Sequence, residues 1–137
     1  MLVPLGFGQR STVTSLGRMV YYTAEKLPWM RLPTSSSDNL PNLVFFHGFG
    51  GGSSAYEWSK VYPAFAAEYR TLAPDLIGWG RSEHPPRNYQ VEDYITTLIE
   101  FLEKTCGSST DVIASSLTGA IAIRAAIARP DLFKSLI

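Results

Sequence analysis

Three short runs with apolar centres, each followed by a loop rich in small or turn-forming residues, constrain this chain more than any other feature. They are "LVFFH" (43–47), "RTLAP" (70–74) and "DVIAS" (111–115). None alternates apolar with polar residues, so each reads as a strand buried on both faces. Between and after them lie segments of helical character. From Val91 the apolar residues fall at 91, 94, 95, 98, 99 and 102, one face of a helix that Gly107 stops. Residues 117–129 form an Ala/Ile-rich helix ended by Pro130. Ser54 and Glu57 match a capping box, which predicts a further helix running to about Tyr69. Strands alternating with helices imply an α/β fold, a mostly parallel sheet with helices on both faces. "STVTSLGRMVYYTA" (11–24) adds an edge hairpin turning near Gly17, "RLPTSSSDNLP" (31–41) is a polar loop, and "FKSLI" begins one more strand.

Composition narrows the function classes. With 45% hydrophobic and 18% charged residues in 137, the chain can build one real core. Twelve basic residues balance twelve acidic ones, so charge does not point to nucleic acid or a membrane surface. The single cysteine, Cys106, cannot form an intramolecular disulfide and suits a reducing compartment. The first residues lack the pattern of a secretory signal, and no apolar run approaches membrane-spanning length. The expectation is a cytoplasmic, soluble protein.

In a parallel sheet, ligands bind beyond the carboxyl ends of the strands. Three motifs fall there: "HGFGGG", "DLIGWGRS" and "ASSLTG". A nucleophile elbow needs small residues two before and two after its serine. Centred on Ser116, the turn has Ala114 and Thr118 at those places; centred on Ser115 it would have Ile113 and Leu117. Ser116 is therefore the candidate nucleophile. The backbone N–H of Leu117, at a helix start, is one oxyanion donor, and the N–H of Phe49 in the first loop is the second. "GFGGGS" lacks the third glycine of a dinucleotide motif, and no phosphate-binding Gly-Lys-Ser/Thr is present.

These three motifs, in this order, resemble the α/β-hydrolase superfamily, in its esterase, dehalogenase and epoxide-hydrolase-like branch. The resemblance covers about residues 11–137. It implies Ser116 as nucleophile, Phe49 and Leu117 as backbone oxyanion donors, and His47, Gly48, Gly50, Asp75 and Trp79 as residues that shape the site. It further implies an acyl-enzyme mechanism on a small-molecule ester or related acyl substrate, with no metal or cofactor. Serine at the elbow argues against dehalogenase and epoxide-hydrolase chemistry, which in this family places aspartate there, while the family's carbon–carbon bond hydrolases and cofactor-free peroxidases also carry serine and leave the reaction open.

Two departures stand out. Ala114 and Thr118 replace the usual glycines, and the residues after Ser116 include Asp131 but no histidine, although the family's acid and histidine follow the nucleophile. The expectation is the N-terminal part (1–137) of a single hydrolase domain, truncated at the start of the sixth strand and inactive alone. A non-catalytic binding or scaffold protein of the same fold is the alternative. His47, Asp75 and Ser116 are also weighed as an internal triad, since a triad is defined by geometry and not by chain order. Truncation there should leave the strand at 111–115 as a bare edge, open to self-association.

Overall fold

Consecutive side chains of residues 43–46 enter two different cores, as a strand covered on both faces requires. Val44 and Phe46 face one cluster, and Leu43 and Phe45 the other. The computed structural model describes residues 3–26, 28–29 and 40–137. Its elements in chain order are β1 (Phe7–Thr14), β2 (Gly17–Ala24), β3 (Asn42–Phe46), β4 (Arg70–Pro74), α1 (Val91–Thr105), β5 (Thr110–Ala114), α2 (Leu117–Ala128) and β6 (Phe133–Leu136). Short 3₁₀ turns occupy Ala55–Trp58, Tyr62–Phe65 and Pro130–Leu132. The loop expected at 31–41 lies, apart from residues 40 and 41, outside the described residues.

The strands form one sheet in the order β1-β2-β4-β3-β5-β6. β1 and β2 are the expected hairpin, turning at Ser15-Leu16 with Gly17 at φ +131°. β2 joins β4 antiparallel, and β4, β3, β5 and β6 run parallel. The interior strands thus carry the three motif loops at a common end.

α1 and α2 cover one face. α1 supplies Tyr94, Leu98, Phe101 and Leu102 to the larger core, and α2 supplies Ile121, Ala122 and Ala125. Phe101 meets Tyr21 and Phe46 edge-on, with ring centroids 5.5 and 6.0 Å apart. At its start, the N–H of Gln90 donates to Asp93 Oδ2 (2.8 Å). At its end Gly107, at φ +69°, donates its N–H to the Leu102 carbonyl (3.0 Å) and closes the helix as predicted. No helix among the described residues is long and apolar enough to cross a membrane.

Two sequence expectations fail here. The helix from Ser54 to Tyr69 is replaced by two 3₁₀ turns. Pro63 has no N–H and its ring would meet the carbonyl four residues back, so an α-helix cannot run through it. The turns nevertheless bury Ala55, Tyr62 and Ala66 against Leu43, Phe45 and Ala73, covering the second face. The second failure concerns β5, which is not a bare edge. β6 pairs with it in parallel through Asp111↔Ser135 and Val112↔Leu136, and the N–H of Ala114 donates to the Ile137 carbonyl (3.0 Å). The few residues after Pro130 suffice to occupy the position that truncation was expected to expose.

Replacing Phe101, fully buried, by alanine should cost about 3–5 kcal/mol, as cavity-forming aromatic truncations do. Ile127→Ala, on the 77% exposed flank of α2, should cost under about 0.5 kcal/mol. Urea unfolding midpoints of the two variants test the assignment of the core face.

Candidate active site

β5 ends at Ala114 and α2 begins at Leu117, so Ser115 and Ser116 must turn the chain from strand to helix in two residues. Ser116 does so at φ +57°, ψ −136°, and among the described residues it is the one non-glycine with positive φ. That conformation costs a side-chain-bearing residue on the order of 1–3 kcal/mol and persists only where the surroundings enforce it. Ser116 is exposed, and its hydroxyl has no hydrogen-bond partner among the described residues.

Thr118, at the position where the family pattern has glycine, does not obstruct the turn. It is fully buried and its hydroxyl donates to the His47 carbonyl (2.7 Å). The threonine thus ties the start of α2 to the loop after β3. Gly119 lies against the Ala114 carbonyl, where a Cβ would stand 3.4 Å away.

His47 fixes that loop from below. It is fully buried; its Nε2 accepts the N–H of Leu76 (3.0 Å), and its Nδ1 lies 2.7 Å from the Gly48 carbonyl oxygen. Because Nε2 must accept, Nδ1 carries the proton and the ring is neutral. Burial pushes its pKa below the ordinary histidine value, outweighing the raising influence of the Gly48 bond and of the Asp75 and Glu57 carboxylates. With both nitrogens engaged, His47 cannot take a proton from Ser116.

The same bond orients the next amide. In a trans peptide the C=O and N–H point in opposite directions. The Gly48 carbonyl points at the buried imidazole, so the Phe49 N–H points away from it. Neither that N–H nor the N–H of Leu117 donates to an acceptor among the described residues. Gly48 runs close over the elbow: a Cβ there would stand 3.2 Å from Ser115 Oγ and 3.3 Å from Ser116 Cβ. A side chain at 48 would push Ser115 or Ser116 aside by a few tenths of an ångström, and glycine avoids that crowding. Gly50 opens a tight turn in which its carbonyl accepts the Ser53 N–H (2.9 Å).

Asp75, also fully engaged, braces the loop after β4. Its Oδ1 accepts the N–H of Ala55 (2.7 Å) and its Oδ2 that of Arg81 (2.9 Å), while its carbonyl accepts the Ser82 hydroxyl (2.6 Å). The internal triad of His47, Asp75 and Ser116 therefore does not form. Trp79 packs against His47 and Phe49, centroids 5.6 and 5.3 Å away, and Phe49 packs edge-on against Tyr94 at 4.8 Å. His84 is exposed, with its Nε2 3.1 Å from the Gly80 carbonyl oxygen.

Sequence reasoning missed one residue here. Glu57, read as half of a capping box, accepts the Ser115 hydroxyl at Oε1 (2.8 Å) and the Gly48 N–H at Oε2 (3.2 Å). The available signal was position: a charged residue in the first turn after a strand-end loop lies at the carboxyl edge of the sheet.

The chain belongs to the alpha/beta hydrolase family, whose model matches residues 43–136. It is 29% identical over 102 residues to a haloalkane dehalogenase of Bradyrhizobium diazoefficiens, covering 74% of this chain and 32% of that protein. It is 31% identical over 97 residues to the 2-hydroxymuconate semialdehyde hydrolase of Pseudomonas sp. (strain CF600), covering 69% of this chain and 34% of that one. Among solved structures, an epoxide hydrolase from an endophytic Streptomyces superposes with a TM-score of 0.77 at 26% identity, covering 97% of this chain and 37% of that one. The chain spans about a third of the length of the curated relatives it matches.

Two outcomes follow from the strained serine and the buried imidazole. Ser116→Gly should stabilise the fold by about 1 kcal/mol, strain relief less the entropy of glycine, whereas Ser116→Ala should gain nothing; thermal unfolding of both variants distinguishes them. For His47, the unfolded chain takes up the proton near the ordinary value of 6.5 and the folded chain only at lower pH. Its stabilising contribution is thus complete above about pH 6.5 and is lost as pH falls below it. Melting temperature should drop between pH 7.5 and 5.5, and His47→Asn should flatten that slope.

Proposed function

We propose that this chain carries the nucleophile and oxyanion loop of a serine hydrolase that acts on an ester or related acyl substrate through an acyl-enzyme. The observation that carries this reading is the backbone of Ser116. A strained, exposed serine with an unengaged hydroxyl, at the N-terminus of a helix and under a glycine loop, is the arrangement an elbow nucleophile needs. In this reading Ser116 Oγ attacks the acyl carbon, its proton passes to a general base, and the carbonyl oxygen takes up the negative charge. The N–H groups of Phe49 and Leu117 stabilise that oxygen, aided by the positive end of α2. The leaving alcohol departs protonated, and water later frees the acyl group and the serine.

The relatives support hydrolysis as the reaction class, and their names span several substrates. Serine at position 116 separates this chain from the aspartate-dependent chemistry that the family resemblance assigns to dehalogenases and epoxide hydrolases. Neither histidine bonds to Ser116: His47 is saturated, and His84 contacts the Gly80 carbonyl on the exposed surface of the loop after β4. The reading therefore requires a histidine from outside residues 1–137.

The 137-residue chain alone should hydrolyse 4-nitrophenyl acetate no faster than its Ser116→Ala variant, since a general base contributes about 10²- to 10⁴-fold. A longer protein containing this chain should turn the ester over and lose the activity on Ser116→Ala. Turnover that survives that substitution removes the serine-hydrolase reading.

A further inference from the structure

Glu57 touches both halves of the candidate site at once. Its Oε1 accepts from Ser115, the residue before the elbow serine, and its Oε2 accepts from Gly48, the residue before Phe49. The N–H of Gly48 belongs to the His47–Gly48 peptide, whose carbonyl oxygen accepts the Thr118 hydroxyl. One trans peptide is thus held at both ends, by Thr118 on the buried side and by Glu57 on the exposed side. The next peptide is held by the His47 imidazole through the Gly48 carbonyl. Among the described residues Glu57 forms no ion pair, and the N–H of Ser54, which a capping box would assign to it, is not among its partners.

We infer that Glu57 is a positioning residue that clamps the oxyanion loop to the nucleophile elbow. The need for such a clamp follows from Gly48. The close approach to Ser115 and Ser116 favours glycine, and glycine leaves the peptides on either side free to rotate. Rotation about Gly48 would swing the Phe49 N–H off the position where an oxyanion forms. A carboxylate suits the task because it accepts two bonds at once, each stronger than a neutral one. Being exposed, it adds little to the stability of the fold while it fixes the orientation of an amide. The catalytic consequence rests on the serine-hydrolase reading; the mechanical one does not.

The test separates the two. In the full chain, Glu57→Leu removes both bonds. Glu57→Gln keeps an oxygen for the Gly48 N–H and an amide N–H for Ser115 Oγ. NMR-detected amide exchange at Gly48 should quicken about tenfold in Glu57→Leu, the equivalent of one lost charge-assisted bond, while the amides of Phe45 and Phe46 stay unchanged and Glu57→Gln behaves as wild type. Gly48 exchange unchanged in Glu57→Leu overturns the clamp, whatever the enzyme does. In a protein that hydrolyses esters, Glu57→Leu should lower kcat on the order of 10- to 100-fold with KM nearly unchanged, and Glu57→Gln should restore most of it. Ser115→Ala should reproduce part of that loss and add nothing to Glu57→Leu in the double variant. A wild-type kcat in Glu57→Leu, with activity still lost on Ser116→Ala, also overturns the clamp and leaves the hydrolase reading standing. Activity that survives Ser116→Ala does the reverse: it removes the hydrolase reading, and the exchange result alone decides the clamp.

Discussion

The buried imidazole of His47 is the joint on which the carboxyl end of the sheet depends. Its ring accepts from the loop after β4 and donates to the loop after β3, and its own carbonyl receives the first turn of α2. The loops after β3 and β4 are thereby held by its ring and the start of α2 by its backbone carbonyl, so that three segments meet at one residue. A neutral ring with one donor and one acceptor fits this arrangement; a charged ring, with two donors, would leave the Leu76 N–H opposed. The histidine that most invites a catalytic role is thus the one least able to play it, and its burial is what keeps the neighbouring amide aimed.

Around that joint the structure compensates its own departures from the family pattern. Thr118, where a glycine is usual, brings a hydroxyl that fastens the elbow to the loop above it. Gly119 lies against the Ala114 backbone carbonyl, where a Cβ would stand 3.4 Å away. Ser115 and Glu57 supply a second fastening on the solvent side. The strain at Ser116 is sustained because residues on both sides of it are anchored, Ser115 through its N–H to Phe46 and Thr118 through its hydroxyl to His47.

Much of this was legible in the residues. The runs at 43–47, 70–74 and 111–115 became β3, β4 and β5 within a residue, because strands buried on both faces leave an unbroken apolar signature. α1 and α2 were equally plain, the one from its periodicity and Gly107, the other from Pro130. The placement of Ser116 at a strand-to-helix turn followed from the need for small neighbours. What failed had physical causes that a local pattern does not carry. The Ser54–Glu57 spacing matched a capping box, but Pro63 forbids the helix it would have capped, and the carboxylate was drawn to donors from residues 48 and 115. The expectation of a bare β5 underrated how little chain a neighbouring strand requires. Saturation of His47 and Asp75 was invisible because each depends on backbone N–H and C=O groups, which leave no mark in the sequence.

The position of β3 has a consequence for how such a chain is assembled. β3 pairs with β4 on one side, Leu43 opposite Thr71, and with β5 on the other, Leu43 opposite Asp111. The central strand therefore cannot complete its hydrogen bonds until the chain some seventy residues downstream has been made. At ribosomal rates of about 5–20 residues per second, an apolar strand that includes Phe45 and Phe46 waits for roughly 3 to 14 seconds with one edge open. The strand with the most apolar side chains is thus the one whose second edge is covered late in synthesis.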